Sequence, residues 1–190
     1  MLQDLISSDF VRVYSQFGKK KDAYYQLRDY YTLFYFRFLH NKHGLDEHFW
    51  THSAGSPSKN AWAGLSFELL CKDHIRQIKQ KIGISGVLTE ESSWSVKGCD
   101  DEPGAQIDLL IDRKDHVIDI CEDKYSEKEY TIDKDDDLAL RTKREVFRER
   151  TGTKKTIQII LISTYGLKQN KYSSLISGEV TLDDLFAGTM

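Results

Sequence analysis

Three residues that could act together chemically lie in two neighbouring apolar segments, Gln106–Ile111 and Val117–Lys124. Both segments are rich in Ile, Val and Leu, and the polar link between them is turn-like, so the pattern predicts a β-hairpin. If the hairpin is centred in this link, Asp108 lies opposite Glu122. Because side chains alternate along a strand, Glu122 and Lys124 share one face, and Asp108 is expected to join them.

Two carboxylates held this close repel each other unless a positive charge lies between them. A divalent cation is the usual solution, since Mg²⁺ prefers oxygen ligands and especially carboxylates. The pair Asp108 and Glu122, with the ammonium group of Lys124 beside it, therefore indicates a metal site. The alternative is a salt-bridge cluster at the edge of the sheet, and Glu-x-Lys alone is a common pattern in charged proteins.

The spacing between Asp108 and the run Glu122-Asp123-Lys124 resembles the signature of the PD-(D/E)XK nuclease superfamily, which has the restriction-endonuclease-like fold. In that family an acid on an early helix often completes the site. The segment Asn60–Glu68 is similar to that helix and nominates Glu68. The chain departs from the pattern at Ile107, where the family has a nominal Pro.

The resemblance implies a metal-dependent nuclease. It assigns Mg²⁺ or Mn²⁺ to Asp108 and Glu122, with the carbonyl group of Asp123 completing the site and Glu68 assisting through water. Lys124 would position or deprotonate the attacking water. The implied reaction hydrolyses DNA to a 5′-phosphate and a 3′-hydroxyl. The third acid, Asp123, stands where an apolar or small residue is frequent, and the downstream helix lacks Gln-x-x-x-Tyr, so the RecB-like subset is not supported.

More narrowly, the whole chain resembles the C-terminal part of archaeal-type AAA ATPases, in which an ATPase module is followed by a winged helix and a nuclease-like domain. No Gly-x-x-x-x-Gly-Lys-Ser/Thr motif occurs in the 190 residues. The resemblance therefore implies a fragment or a shortened relative without the motor, with the ATPase module of a longer relative as a partner.

The elements expected to position these residues follow the order helix, three strands, helix, strand, which is the αβββαβ core of the restriction-endonuclease-like fold. The sequence thus predicts an α/β (α+β) protein with a mixed central sheet flanked by helices. Ser56 is the expected N-cap of a helix over Lys59–Lys81. Glu68 lies on or beside the apolar stripe of this helix, which favours a metal ligand, although pairing with Lys72 at i+4 is the alternative.

Further elements are expected on both sides of the hairpin. One or two strands are predicted over Ile84–Trp94, with Ser93–Val96 the clearest segment. A helix is predicted over Asp133–Arg150 and a strand covered on both faces over Lys155–Thr164. A short last helix is capped by Thr181. One face of the long helix offers a candidate DNA-backbone surface, although a solvated amphipathic helix explains the same pattern; this surface consists of Arg141, Lys143, Arg144 and Arg148.

Residues 1–45 are predicted to form a separate unit, a partial winged helix with a linker helix, and residues 46–190 the nuclease-like domain. Two strands, Phe10–Phe17 and Ala23–Leu27, resemble a wing, with Lys19–Lys21 in their loop; these lysines either contact phosphate or lie in a solvated turn. Asp29 is expected to cap an aromatic helix that ends at Leu39 and is deeply packed or lies between domains.

A polar linker is predicted over residues 40–58, anchored by Trp50. A zinc site is conceivable in this linker, but it is disfavoured because no cysteine is nearby. Its six possible ligands are His40, His43, Asp46, Glu47, His48 and His52.

Composition sets broad limits. The net charge of −3 gives no overall attraction to nucleic acid, so DNA contact needs a local basic surface. The three cysteines are far apart in sequence, which predicts reduced thiols. No signal peptide or membrane span is visible, so we expect a cytoplasmic protein that does not bind a membrane. Two other functions stay open: an inactive accessory domain that binds nucleic acid or a partner, and a homo-oligomeric scaffold joined through the aromatic helix.

Overall fold

The computed structural model describes residues 1–40, 46–99 and 103–188, and within these it leaves out the side chains of residues 20–22. The helices in this part of the chain are α1 (Leu2–Ser7), α2 (Tyr30–Phe34), α3 (Phe49–His52), α4 (Pro57–Asp73), α5 (Ile75–Lys81), α6 (Lys134–Thr151) and α7 (Leu182–Phe186). The strands are β1 (Val11–Gln16), β2 (Lys19–Leu27), β3 (Thr89–Val96), β4 (Ala105–Arg113), β5 (Val117–Lys124), β6 (Thr156–Ser163) and β7 (Gly178–Thr181).

The described strands form one mixed sheet in the order β2-β1-β3-β4-β5-β6-β7. Strands β3, β4 and β5 pair antiparallel, whereas β6 and β7 continue the sheet in parallel with β5. The expectation of a mixed α/β sheet flanked by helices is confirmed. From α4 onward the chain runs through helices, three strands, a helix and a strand, and the more specific endonuclease-like core stays a prediction.

The central hairpin is confirmed, together with its register. Leu110 pairs with Ile120 and Asp112 with Ile118, as a centre in the polar link requires. The alternating apolar side chains of β4 and β5 supply both faces of the core, because helices cover the sheet on both sides.

A bulge in β4 alters the expected position of Asp108. The β3–β4 register shifts between Ser92, which pairs with Leu110, and Trp94, which pairs with Ile107. One more residue therefore lies on β4 than on β3 across this interval. Ile107 packs with the core on the α6 side of the sheet, whereas Leu109 packs on the α4 side.

The N-terminal hairpin is part of the same sheet. Gln16 pairs in parallel with Ser93, which attaches β1 to β3. The two predicted strands are confirmed, but the predicted basic loop is wrong, because β2 resumes at Lys19 directly after Gly18. Gly18 has a φ of +77° in this tight turn, a conformation that glycine adopts without a steric penalty. The proposed boundary after residue 45 lies outside the described residues and stays a prediction.

The aromatic helix begins as expected but is less deeply packed than expected. Asp29 caps α2 by accepting a hydrogen bond of 2.6 Å from the Thr32 amide. The chain continues as a π-helical turn over Tyr35–Leu39, where Phe38 is buried. Tyr31 and Phe36 are nevertheless 68% and 61% exposed, so the prediction of deep packing is wrong for this outer face.

The long helix after the linker is broken in two. Ser56 caps α4 through the Lys59 amide at 3.2 Å, as expected. The helix ends at Asp73, because His74 leaves helical geometry with a φ of −112° and begins α5. The predicted single helix over Lys59–Lys81 is therefore wrong in its continuity, although both halves pack on the same core.

The C-terminal half follows the sequence closely. Asp133 caps α6 with a capping box, and Gly152 ends this helix in the left-handed conformation. Thr181 caps α7 in the same manner as Asp133 caps α6. None of the helices in the described ranges is long and apolar enough to cross a membrane.

Candidate functional site

The two sides of β5 carry different groups of charges near its C-terminal end. Asp123 faces the α4 side, beside the Cys71 thiol, whose pKa it helps to raise. Glu122 faces the α6 side and meets Lys143 of α6. This follows from the alternation of side chains along a strand, since Cys121 packs on the α4 side and Ile120 on the α6 side.

On the α4 side, Glu68, Asp108 and Asp123 form what we call the acid cluster. Burial raises the pKa of Glu68, and the nearby Asp108 raises it further. The bulge turns Asp108 toward this side, where it lines a cavity of about 90 Å³ together with Tyr14 and Lys72. The expectation that Asp108 shares a face with Glu122 and Lys124 is therefore wrong.

Asp123 is a buried member of the acid cluster, and its pKa is strongly raised. Apart from the Cys71 thiol, which is a weak donor, no group in the described part of the chain donates a hydrogen bond to its carboxylate oxygens. Burial, then the charges of Glu68, Glu122 and Asp108, raise the pKa of Asp123 to about 8. Without a cation, this group therefore holds its proton at neutral pH.

Lys72 is the cation that lies among these acids. It follows Glu68 by one helical turn, and burial lowers the pKa of its ammonium group although Asp108 and Glu68 act in the opposite direction. The ammonium group donates a hydrogen bond of 3.2 Å to Gln26 Oε1 and lies 4.8 Å from the centre of the Tyr14 ring. The N-terminal hairpin thus reaches the acid cluster.

On the α6 side, Glu122 is held by two ammonium groups. Its oxygens lie 2.5 Å from Lys143 Nζ and 3.0 Å from Lys124 Nζ. Burial alone would raise the pKa of Glu122, but these two cations lower it below its ordinary value. The expectation that Glu122 and Lys124 share a face is confirmed.

An open cleft of about 910 Å³ borders both groups of charges. Its walls include Asp123 and Lys124 at the end of β5, the segment after them as far as Thr131, and Asn60 and Gly64 from the first turns of α4. Gly64 presents no side chain to the cleft, and the space at this position is open.

The donor chemistry of the acid cluster fits a hard divalent cation. Its donors are carboxylate oxygens, and the buried Asp123 carboxylate has only the weak Cys71 thiol as a hydrogen-bond donor in the described chain. Among the described residues, however, no three His, Cys, Asp or Glu side chains are gathered closely enough to hold a metal ion. Glu122, which the sequence nominates as a ligand, is occupied by its two lysines.

The four basic residues predicted to contact DNA all have acidic neighbours. Arg141 pairs with Asp137 and Lys143 with Glu122, while Glu145 lies between the other two. Its carboxylate is 3.2 Å from Arg144 and 3.7 Å from Arg148. These pairs reduce the charge that this face of α6 offers to a phosphate backbone.

Two further predictions fall partly outside the described chain. His43 lies there, and so do the side chains of Lys20 and Lys21. Of the other histidines in the linker, His52 donates through Nδ1 to a carboxylate oxygen of Asp46 at 2.9 Å, and its ring packs near His48. Trp50 contacts the rings of a small aromatic group, as its expected role of anchor requires; this group consists of Phe34, Phe38 and Trp62.

Lys72 was expected as the alternative partner of Glu68, whereas the parts that Tyr14 and Lys143 take in this region were not predicted. For Lys72 a signal was present, since its i+4 spacing from Glu68 places both side chains on one face of α4. Tyr14 gave no such signal, because its strand is distant in sequence from the acids that it approaches.

Comparison of the chain with models of known families, with characterised proteins and with solved structures finds no match.

Proposed function

We propose that the chain is a Mg²⁺- or Mn²⁺-dependent nuclease domain that hydrolyses phosphodiester bonds of nucleic acid, with DNA as the expected substrate. The observation that carries the proposal is Asp123, whose buried carboxylate has only the weak Cys71 thiol as a hydrogen-bond donor in the described chain. It lies near Glu68 and Asp108, and Asp123 itself borders the open cleft. A cation would satisfy this group and ionise it at neutral pH.

To hold the ion, Asp108, Asp123 and Glu68 would have to move closer together than they lie in this structure. Glu122 would join them only by exchanging its lysine partners. The ion would polarise a phosphate and lower the pKa of a bound water molecule. Lys124 borders the cleft and would orient that water, while its positive charge offsets the charge that develops on the phosphate. The resemblance to AAA ATPases adds the proposal that an ATPase module works with this domain.

A nicking assay on supercoiled DNA with Mg²⁺ or Mn²⁺ tests this function. We expect cutting by the wild type and a loss of at least about 100-fold in Asp108→Ala and in Lys124→Ala. Glu90→Ala is the control, because Glu90 is an exposed acid on β3 that pairs only with Lys114 in the described chain. Undiminished cutting by Asp108→Ala would refute the assignment of the site.

A second candidate function is an accessory domain that binds nucleic acid or a partner without cutting. The pairing of Glu122 with both Lys143 and Lys124 favours it, because a carboxylate neutralised in this way does not need a metal. Titration of Mn²⁺ into the wild type and into Asp108→Ala/Glu122→Ala by calorimetry separates the two candidates. Binding that is lost in the double variant favours the nuclease, and absence of binding in both proteins favours the accessory domain.

A further inference from the structure

Tyr14 on β1 and Tyr24 on β2 form a stacked pair on the N-terminal hairpin. Their ring centres are 5.7 Å apart and their planes are inclined by 19°. The two residues are direct partners in the β1–β2 register, so the hairpin itself fixes the stack. Tyr24 is 37% exposed on the outermost strand of the sheet. An aromatic surface is therefore open to solvent at this edge.

The stack adjoins the acid cluster. Tyr14 and Asp108 line the same cavity, and the ammonium group of Lys72 lies 4.8 Å from the centre of the Tyr14 ring. Asp108 and Glu68 add to the effect of burial in raising the pKa of Tyr14. A ligand stacked on Tyr24 would thus be separated from Asp108, one of the acids proposed to hold the metal, by the ring of Tyr14.

We propose that Tyr14 and Tyr24 form a stacking platform for an unpaired nucleobase, so that the substrate is a nucleic-acid strand with unpaired bases and not a continuous duplex. This inference rests on the proposed function and narrows its substrate class. Every base has a π-face that can stack on an aromatic ring, whereas the bases of a duplex already stack on one another.

The charges of the chain disfavour a duplex as the substrate. Duplex binding draws much of its free energy from Lys and Arg groups that neutralise phosphates and release counterions. The net charge is −3, and the candidate basic face of α6 pairs with Asp137, Glu122 and Glu145. Proteins that bind single strands also use cations along the backbone, and beside the platform Lys72 lies among Asp108 and Glu68. We therefore expect base stacking, which a duplex cannot offer to the platform, to supply most of the affinity.

Fluorescence anisotropy of the full chain in EDTA tests the inference. The probes are a labelled single-stranded DNA of about 12 nucleotides, the RNA of the same sequence and the corresponding DNA duplex. We expect the wild type to bind the better of the two single strands about tenfold more tightly than the duplex. A preference for either strand supports the platform, and the tighter one identifies the sugar that is recognised.

The variants compare two neighbouring tyrosines of β2. Tyr24→Ser is expected to weaken single-strand binding about tenfold, and Tyr24→Trp to retain it. Tyr25→Ser is the matched control, because Tyr25 pairs with Val13 on the opposite face of the hairpin and is 54% exposed. It is expected to change the affinity by no more than about twofold. Thermal unfolding of each variant tests whether the protein is still folded as in the wild type.

Equal losses in Tyr24→Ser and Tyr25→Ser, or tighter binding of the duplex by the wild type, would overturn the platform. Because this assay contains no metal, its outcome is separate from that of the nicking assay. Single-strand binding that depends on Tyr24 in a protein that does not cut refutes the nuclease and leaves the platform. Cutting that is indifferent to Tyr24→Ser refutes the platform and leaves the nuclease.

Discussion

The ammonium group of Lys143 lies 2.5 Å from a carboxylate oxygen of Glu122 and joins helix α6 to strand β5. The side chain of Glu122 is only 14% exposed, and Lys124 lies 3.0 Å from its other oxygen. One carboxylate thus lies between two ammonium groups at the end of the strand that borders the cleft. The pair fixes the orientation of Glu122 away from the acid cluster.

Replacement of Lys143 by Met is expected to lower the free energy of unfolding by about 1–3 kcal/mol at pH 7, because Glu122 stays buried with one partner fewer. The pKa of Glu122 is lowered in the folded protein. The stabilisation is therefore present above the pKa of an unfolded Glu and is lost as the pH falls through the folded pKa. Urea unfolding at pH 7 and pH 3 measures this difference.

Arg144→Met is the control for Lys143→Met, since it removes a neighbouring cation of α6 that pairs with the exposed Glu145 at 3.2 Å. Its expected cost is about 0–1 kcal/mol, the range of surface ion pairs. Equal costs for the two substitutions, or a cost for Lys143→Met that persists in acid, would contradict the role of the Glu122–Lys143 pair.

Asp73 is expected to be the main polar attachment of the N-terminal hairpin to α4. Its carboxylate accepts from Arg12, from Arg28 at 3.1 Å and from the Tyr30 hydroxyl at 3.0 Å. Asp73→Ala leaves the largely buried Arg12 charge without this partner, so we expect a loss of about 3–5 kcal/mol in the free energy of unfolding. Limited proteolysis should then cleave earlier within β1 and β2.

Asp9→Asn provides the comparison for Asp73→Ala, because Asp9 pairs with the same Arg28 but is largely exposed, and Asn tolerates the left-handed conformation of this residue, which has a φ of +63°. We expect a cost of about 0–1 kcal/mol and unchanged proteolysis. A similar loss in both variants would show that the hairpin is held by its packing and not by Asp73.

The central hairpin could be predicted because its determinants are local. Alternation, β-branched residues and a polar link specify Leu110 opposite Ile120 without reference to the rest of the chain. The side toward which Asp108 points could not be predicted. It depends on a bulge that arises where β4 pairs with β3. Three steps along β4, from Ile107 to Leu110, lie opposite two steps along β3, and this mismatch depends on the pairing of strands and not on either segment alone.

The position of the N-terminal hairpin in the sheet could not be predicted from local sequence patterns either. Its two strands were evident from their residues, but their partner was not. Its attachments to β3 include the pairing of Gln16 with Ser93, a hydrogen bond of 2.8 Å from the Phe17 amide to the Ser93 carbonyl and one of 3.2 Å from Gln16 Nε2 to the Ser95 carbonyl. A buried glutamine gives no sign in the sequence of which strand it will meet. The proximity of Tyr14 to Glu68 was hidden for the same reason.

The cysteines should report on folding through their reactivity. Cys71 and Cys121 are buried, and burial raises the pKa of both thiols, whereas Cys99 is exposed. Because the thiolate is the reactive form, we expect one thiol to react with an aromatic disulfide reagent in the native protein and all three in urea. Cys99→Ser should abolish the native reaction. Fast reaction of a second thiol would contradict the packing of α4 on β5.

Asp123→Asn tests the acid that carries the proposed function. The pKa of Asp123 is raised by burial, then by Glu68 and Glu122, to about 8. The folded protein therefore binds a proton that an unfolded Asp releases near pH 4, and stability is expected to fall as the pH rises from about 4 to about 8. Asn cannot ionise, so the variant should lose this part of the pH dependence, as measured by urea unfolding at pH 5 and pH 8.

Addition of Mn²⁺ distinguishes a metal ligand from a buried structural acid at Asp123. A cation that binds only the folded state adds to its stability, and the gain is largest where the carboxylates are ionised. We expect Mn²⁺ to raise the free energy of unfolding of the wild type at pH 8 and to have little effect on Asp123→Asn. Parallel pH curves for the two proteins would contradict the raised pKa. A loss of the pH dependence without any effect of Mn²⁺ would instead confine Asp123 to a structural role and favour the accessory domain.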